Sequence, residues 1–480
     1  MDPLWILFCG MVVVLGGILA LRLHAFLALV LGALVVGALT PAEAIVKHGV
    51  SRKLSPEAAQ KVADQPVIER VTREFGGTAG RIGVLIAFAS IVGKCLLDSG
   101  GADRIVRSTL RVLGEHRGPL AFLISGFLLG IPVFFDTVFL LMIPLGKAMR
   151  MRTGKNYTLY VLSIIAGATM THSLVPPTPG PLFVAKELNV DMGLMILGGC
   201  VVGAITASAG WAFAHWVNRR VDIPLRENSK LSLADLETLS QRDEKELPPF
   251  WLAALPILLP VLLISASTPL DSKGGAKFYA DLFAFWPGAL QVIRVLGDST
   301  VALGISALIA LGTLLWQGRK SGEVLDKGVS TALEEAGLII LITSAGGAFG
   351  GVLQQCGIGP RVQELSTTYS IAILPLAWAV TALVRIAQGS ATVAMITAVG
   401  VVGGMATPDL LGFHPLWVAL AIGCGSKMIP WMNDSGFWVI CKMSGFTEKE
   451  CLTTFTPMVS IMGLVGLGVV MLLAKLFPLV

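Results

Sequence analysis

Long apolar blocks, separated by short polar segments, run through the whole chain. The first block, residues 4–21, contains no charged residue. Blocks of this length predict helices that cross or enter a membrane, because about 20 apolar residues span the hydrocarbon layer. In order, the blocks are 4–21, 25–40, 82–97, 119–146, 157–185, 192–217, 250–266, 299–316, 338–353, 371–407, 416–440 and 451–474. The pattern indicates an integral membrane protein and excludes a water-soluble enzyme.

The composition agrees with a membrane protein. Hydrophobic residues make up 54% of the 480 residues and charged residues 14%, whereas soluble domains carry roughly 25% charged residues. The mean hydropathy is +0.77. The 54 glycines suit helices that pack closely in lipid or break midway. At about 20 residues a span, the length leaves room for some ten to fourteen membrane segments.

Charge and cysteine content indicate no further class of partner. The net charge of +5 is spread over the loops, as is typical of positive-inside membrane proteins, so we expect no nucleic-acid partner. The seven cysteines are odd in number and lie mostly in apolar runs, which indicates neither a disulfide framework nor a metal site. No cofactor is expected. The chain has no phosphate-binding glycine loop with its lysine, which argues against ATP-driven transport by this chain alone.

A charged segment divides the chain into two similar halves. Residues 218–249 carry 13 charged residues in 32, too many to enter hydrocarbon. The same order of blocks occurs on both sides: two spans, one span, one interrupted block, one broken span and a last span. We therefore predict a first repeat at 1–217, a cytoplasmic linker at 218–249 and a second repeat at 250–480.

Basic residues give the orientation of the interrupted blocks. Four Lys or Arg residues precede block 119–146 and four follow it, so both of its ends should be cytoplasmic. Its 28 residues are too few for two crossings and predict a re-entrant hairpin with its turn at Gly130-Ile131-Pro132. Block 371–407, with fewer flanking basic residues, predicts a hairpin that enters from outside. The segment 41–80 should then be an external loop, although it is rich in basic residues.

The predicted fold is therefore an all-α polytopic membrane protein with an inverted structural repeat. Each half would contain about five spans and one re-entrant hairpin. The run THSLVPPTPGP at 171–181 cannot continue an α-helix, and the run KMIPWMNDSGFW at 427–438 is its counterpart in the second half. Unwound backbone at the bilayer midplane is tolerated only beside protein or a water-filled cavity, where transporters bind solutes.

Polar side chains near these interruptions are candidates for the chemistry. Asp136 follows the first hairpin turn, where a carboxylate should face a polar cavity and handle substrate or protons, or else cap a helix end. His172 could carry a proton or could be a neutral histidine bonded between helices. Asn433 and Asp434 occupy the second break.

The second hairpin contributes Arg385, Gln388, Ser390 and Thr392. Its hydroxyls could hydrogen-bond an anion or coordinate a cation, while the small residues there could instead only permit close packing. Arg385 could neutralise a carboxylate substrate, pair with an acidic side chain, or lie near the interface.

The sequence resembles the gluconate:proton symporter family, also called GntP-type permeases, most clearly in three segments, 171–181, 385–397 and 433–438. The resemblance covers nearly the whole chain. The resemblance implies membership of the ion transporter superfamily, whose folds pair a scaffold with a transport domain of opposed hairpins and form homodimers. It also implies proton-coupled uptake of a sugar acid such as gluconate, while some relatives carry other small hydroxy acids or D-serine. Carried over residue by residue, the family motif falls on His172, Pro176, Pro177, Gly180, Arg385, Gly389, Ser390, Thr392, Asn433 and Asp434.

The sequence departs from the gluconate-type pattern at three places. Thr178 and Trp431 stand where such members commonly have histidine, and Asp136 stands where glutamate is frequent. These positions flank the expected cavity, so the family is better supported than gluconate itself.

We therefore expect a secondary transporter of the bacterial inner membrane that imports gluconate or a related small hydroxy acid by proton symport. Its partners would be a small organic anion, protons or sodium, the lipid bilayer and a second copy of the chain. The expected substrate-binding residues are Asp136, Thr137, His172, Thr178, Arg385, Gln388, Ser390, Thr392 and Asn433. Proton coupling would use Asp136, His172 and Asp434. The alternatives are a sodium-coupled carboxylate transporter of the same architecture and a membrane-embedded enzyme.

Overall fold

The computed structural model describes residues 2–221, 223–226, 247–271, 273–283, 288–318, 322–358, 373–406 and 411–479. Within these ranges the regular secondary structure is entirely helical. Most of the predicted linker 218–249 lies outside the described residues. So do positions 371, 372 and 407, at the ends of the second predicted hairpin.

Helices of the first half follow the apolar blocks. They are α1 (Pro3–Leu19), α2 (Ala25–Leu39), α3 (Ala42–Ser51), α4 (Pro56–Ala63), α5 (Val67–Asp98), α6 (Gly101–Leu113), α7 (Gly118–Leu129), α8 (Phe135–Thr153), α9 (Tyr157–Leu174), α10 (Pro179–Glu187) and α11 (Met192–Asn218). Side-chain caps satisfy backbone N–H groups at several starts, with Asp2 before α1 and Asp191 before α11.

Helices of the second half also follow the apolar blocks. They are α12 (Phe250–Ser267), α13 (Lys273–Leu282), α14 (Ala289–Gly297), α15 (Ser299–Gly318), α16 (Gly322–Gln355), α17 (Ile373–Gln388), α18 (Ala391–Val402), α19 (Leu416–Gly425), α20 (Ser435–Ser444) and α21 (Glu448–Leu476). Thr447 and Glu450 form a reciprocal capping box at the start of α21.

The described residues contain fewer full-length spans than the length allowed. Seven helical stretches are long and apolar enough to cross a membrane, or eight if the bent pair α2 and α3 counts as one span. Glycine and proline divide several apolar blocks into shorter helices, so these blocks do not form single full-length helices. Those blocks instead form pieces such as Gly118–Leu129, Ile373–Gln388 and Leu416–Gly425.

The segment 41–80, predicted to be a loop, is mostly helical, since α3, α4 and the first turns of α5 lie within it. The chain bends by 101° between α2 and α3, and α5 begins at Val67, well before the apolar block at 82–97. The buried Arg70 is accommodated in this helix because its guanidinium donates to the Gly37 carbonyl at 2.9 Å and to Gln355 Oε1 at 3.1 Å. Hydrogen bonding offsets the cost of burying the charge.

The helices pack as two groups. In the first, here the framework group, α1, α2, α5, α12, α15 and α16 pack mainly on one another. The second, the hairpin group, contains α7 to α11 and α17 to α21. The two groups meet along α16, where Gly346 and Gly350 lie against α18 while Gly347 and Gly351 lie against α5. Because these positions lack side chains, α16 approaches both neighbours closely.

Candidate functional site

A cavity of about 410 Å³ lies where the turn before α8, the turn before α18 and the two broken spans meet. Helices α16 and α21 supply apolar walls. The volume lies within the range of cavities that bind small molecules. The polar lining consists of Asp136, Thr169, His172, Arg385, Ser390, Thr392, Lys427, Asp434 and Ser435.

Asp136 lies in the first turn of α8, directly after the turn that separates α7 from α8. The turn packs tightly on α9, since a Cβ atom at Gly130 would overlap the Thr171 side chain. Asp136 Oδ2 accepts a hydrogen bond from the Ser435 hydroxyl at 3.3 Å. A carboxylate in this position is also favoured by the positive end of the helix dipole. The first hairpin thus presents a carboxylate to the start of α20.

The second turn depends on Gly389. Its φ of +88° lies in the left-handed region, and a Cβ atom there would overlap the backbone of Asn433. Ser390 then caps α18, with its hydroxyl oxygen accepting from the Val393 amide at 3.3 Å. The Gln388 side-chain oxygen accepts from the Ser390 amide at 2.9 Å. Gln388 therefore supports the turn, while Ser390 lines the cavity.

Asn433 links the second broken span to the second hairpin by hydrogen bonds. Its side-chain amide donates to the carbonyls of Ile386 at 2.8 Å and Ala387 at 3.2 Å. The Trp431 indole N–H donates to the same Ile386 carbonyl at 2.8 Å. Carbonyls in the last turn of a helix have no partner within the helix, so these bonds satisfy the end of α17.

Thr178 satisfies backbone carbonyls in the first broken span in a similar way. Its hydroxyl oxygen lies 2.8 Å from the carbonyl oxygens of both His172 and Val175. Pro179 then occupies the first position of α10, where no backbone donor is needed. The hydroxyl thus satisfies carbonyls that the proline run has freed, and Thr178 does not line the cavity.

Arg385 and Asp434 form a buried ion pair at the cavity wall. Asp434 also caps α20, since its Oδ1 accepts from the Gly436 amide at 2.9 Å. The Arg385 guanidinium uses only Nη2 for Asp434, and its Nε and Nη1 are buried without a hydrogen-bond partner among the described residues. Donors left in this state are costly unless a ligand or water meets them.

Two further polar groups face the same space. His172 lies at the end of α9, with its ring edge-on to Phe134 at 5.9 Å between centroids. Its Nδ1 is buried and has no hydrogen-bond partner in the described part of the chain. Lys427 follows α19 and is 4% exposed. Both side chains contact the cavity.

The structure brings six of the predicted site residues to one cavity and leaves four away from it. Those that line it are Asp136, His172, Arg385, Ser390, Thr392 and Asp434. Thr137, Thr178, Gln388 and Asn433 do not line it, and the last three hold turns and breaks in place. Thr169, Lys427 and Ser435 also line the cavity, although they are not among the residues predicted from the sequence. The sequence did contain a signal for Lys427, because placing a charged lysine within an apolar block costs free energy.

Residues 57–477 match the model of the GntP family permease. The chain belongs to the GntP permease family. It is 30% identical to the gluconate permease of Bacillus subtilis over 476 residues, covering 98% of this chain and 99% of the relative. It is 34% identical to the gluconate permease of Pseudomonas aeruginosa, covering 85% and 88% of the two chains. Identity to the Gnt-II system L-idonate transporter of Escherichia coli is 29%, covering 97% and 98%.

Two solved transporters share the fold of this GntP permease. The YdaH transporter of Alcanivorax borkumensis superposes with a TM-score of 0.55 at 15% identity, covering 85% of this chain and 88% of that one. MtrF of Neisseria gonorrhoeae, described as representing a class of antimetabolite efflux pumps, gives 0.56 at 14% identity, covering 85% and 83%. The likeness confirms a multi-span, all-helical transporter fold.

Family membership confirms the resemblance found in the sequence. The protein is a multi-span membrane transporter related to bacterial gluconate permeases, and it is not an enzyme. The alternative of a membrane-embedded enzyme is therefore wrong.

Proposed function

We propose that this GntP permease imports a small sugar-acid monoanion of the gluconate type by proton symport across the bacterial inner membrane. The observation that carries the proposal is the incompletely bonded guanidinium of Arg385 at the wall of the central cavity. The names of its relatives, gluconate permease and L-idonate transporter, support the same substrate class.

Arg385 is the proposed anchor for the substrate carboxylate. Asp434 fixes the guanidinium from one side and leaves Nε and Nη1 available. These two nitrogens form an edge that can donate to both oxygens of a carboxylate, the arrangement that makes arginine selective for planar anions. Hydroxyls of the sugar chain would then meet Ser390, Thr392 and the unpartnered Nδ1 of His172.

Asp136 is the proposed proton carrier. Both oxygens of Asp434 are already used, one by Arg385 and one by the Gly436 amide. The Asp136 carboxylate receives only the 3.3 Å bond from Ser435 among the described hydrogen bonds, so a proton there breaks no ion pair. Protonating Asp136 would offset the negative charge that the substrate brings into a site of low dielectric.

Alternating access would come from movement of the hairpin group against the framework group. Two hairpins and two broken spans in corresponding positions of the halves support an inverted repeat, with five spans and one hairpin in each as the proposed topology. The contact of α16 with α18 lies on the boundary between the groups. Relative movement along it would expose the cavity to one side of the membrane at a time.

Uptake by purified protein in proteoliposomes tests the proposal. Labelled gluconate should accumulate above its equilibrium level under an inward pH gradient without sodium, and a protonophore should abolish the accumulation. Dependence on a sodium gradient alone would defeat proton coupling and favour the sodium-coupled alternative. Failure to take up any C4 to C6 sugar acid under either gradient would defeat the proposed substrate class.

A further inference from the structure

We infer that Lys427 supplies the positive charge that balances the substrate carboxylate, and thereby selects a monoanion over a neutral molecule of the same shape. The inference rests on the proposed function and adds a specificity-determining residue to that site.

The burial of Lys427 and its position in the fold place its charge at the cavity. The residue directly follows Ser426, the C-cap of α19, and is 4% exposed. Helix α21 packs on the base of its side chain, since a Cβ atom at Gly463 would lie 3.3 Å from Lys427 Cβ. Within the described chain the ammonium group of Lys427 makes no hydrogen bond or ion pair, and the side chain lines the cavity.

The charged neighbours of Lys427 do not neutralise it. Arg385, Asp434 and Cys424 lie within electrostatic range of its ammonium group, and His172 faces it from α9. Asp434 is the acidic member, and both of its oxygens are engaged elsewhere. Arg385 adds a second positive charge. The ammonium is therefore a buried cation without a dedicated counter-ion, an arrangement that a bound anion would relieve.

Counting formal charges shows what the cavity can hold. Arg385 and Asp434 cancel, and in the empty site the formal charges of Lys427 and an ionised Asp136 sum to zero although the two groups form no ion pair. A monoanion would leave one uncompensated negative charge, which a single proton on Asp136 removes. Lys427 then balances the substrate, and the loaded site is neutral. A neutral ligand would instead leave the protonated site with an excess positive charge.

A different reading is that Lys427 only stabilises the C-terminal end of α19, where a cation is favoured by the helix dipole. That role would concern the fold and would not distinguish ligands by charge. Comparing gluconate with gluconamide, its neutral amide of nearly the same shape, separates the two readings.

The test uses the purified full-length protein in lipid nanodiscs. Affinities for gluconate and gluconamide would be measured by calorimetry for the wild type, Lys427→Met and Lys427→Arg. Lys442→Met is the matched control, because Lys442 is exposed on α20 and does not line the cavity. Thermal unfolding of the empty proteins reports on the fold.

We expect the wild type and Lys442→Met to prefer gluconate strongly over gluconamide. Lys427→Met should lower gluconate affinity on the order of 100-fold, since one partner of a buried charge pair is removed, and should leave gluconamide affinity nearly unchanged. Lys427→Arg should retain most of the preference. The melting temperature of empty Lys427→Met should not fall, because the variant loses an unpaired buried charge.

Two results would overturn the inference. An unchanged ratio of gluconate to gluconamide affinity in Lys427→Met would remove Lys427 from recognition while leaving the proposed function standing. Equal weakening of both ligands, together with a lower melting temperature, would assign the residue to the fold alone. If the wild type binds no C4 to C6 sugar acid, the proposed function fails, and the inference fails with it.

Discussion

The ion pair of Arg385 and Asp434 should be among the most strongly coupled pairs in the protein. The two side chains are 6% and 11% exposed, so water screens their interaction little. Breaking a buried pair by removing one partner costs about 3–5 kcal/mol, because the remaining charge is left uncompensated. Asp434→Asn should therefore destabilise the empty protein by this amount, even though asparagine can still cap α20.

A double-mutant cycle with Arg385→Met measures the coupling. The double variant leaves neither charge unpaired, so its loss of stability should be smaller than the sum of the single losses by about 2–3 kcal/mol. The free energy of unfolding would be followed by circular dichroism during titration with sodium dodecyl sulfate. The pair Arg81 and Glu187, whose side chains are 54% and 16% exposed, is the matched control and should couple by only about 0–1 kcal/mol.

Additive losses for Arg385→Met and Asp434→Asn would refute the reasoning. Such a result would mean that solvent in the cavity screens the pair as effectively as bulk water screens a surface pair. The description of Arg385 as a guanidinium fixed by Asp434 would then have to be abandoned, and with it the geometry proposed for carboxylate binding.

Three further substitutions address the proton carrier, the second turn and the first break. Asp136→Asn should abolish accumulation of gluconate under a pH gradient while the protein still inserts into the membrane, and unchanged accumulation in proteoliposomes would remove Asp136 from the mechanism. Gly389→Ala should lower stability by about 1–3 kcal/mol, since its φ of +88° is strained for alanine and the new Cβ atom would overlap backbone atoms. Gly468→Ala is the control, because the space around Gly468 is open. Equal melting temperatures for the two variants would contradict the expectation. Thr178→Val should lower the free energy of unfolding by about 1–3 kcal/mol because two carbonyls lose their donor. It should leave the KM for gluconate nearly unchanged. A raised KM at unchanged stability would instead show that Thr178 belongs to the substrate site.

Local chemistry explains what the sequence alone predicts well. Apolar blocks of membrane length indicate the class of protein. A dense run of prolines ends a helix because proline lacks a backbone donor, and glycine permits the left-handed backbone of a tight turn. A single proline such as Pro144 remains inside a helix. The left-handed turn at Gly389 and the break after Leu174, directly before the proline run, follow from these rules. Motif residues near those interruptions were enough to indicate a GntP permease.

Partners distant in sequence were decided by the tertiary structure. Arg385 was predicted to meet either a substrate or an acidic side chain, and the fold joins it to Asp434, 49 positions away. Helix α5 extends back to Val67 through charged residues because Arg70 finds Gln355, 285 positions away.

The same dependence on tertiary structure separates residues that face the cavity from those that support it. Ser390 and Gln388 are two positions apart, yet one lines the cavity and the other bonds the backbone of the turn. Sequence spacing restricts which residues can lie at a hairpin tip. The direction in which each side chain points depends on how helices from both halves pack, because burial and hydrogen bonding are satisfied only once all the neighbours are in place.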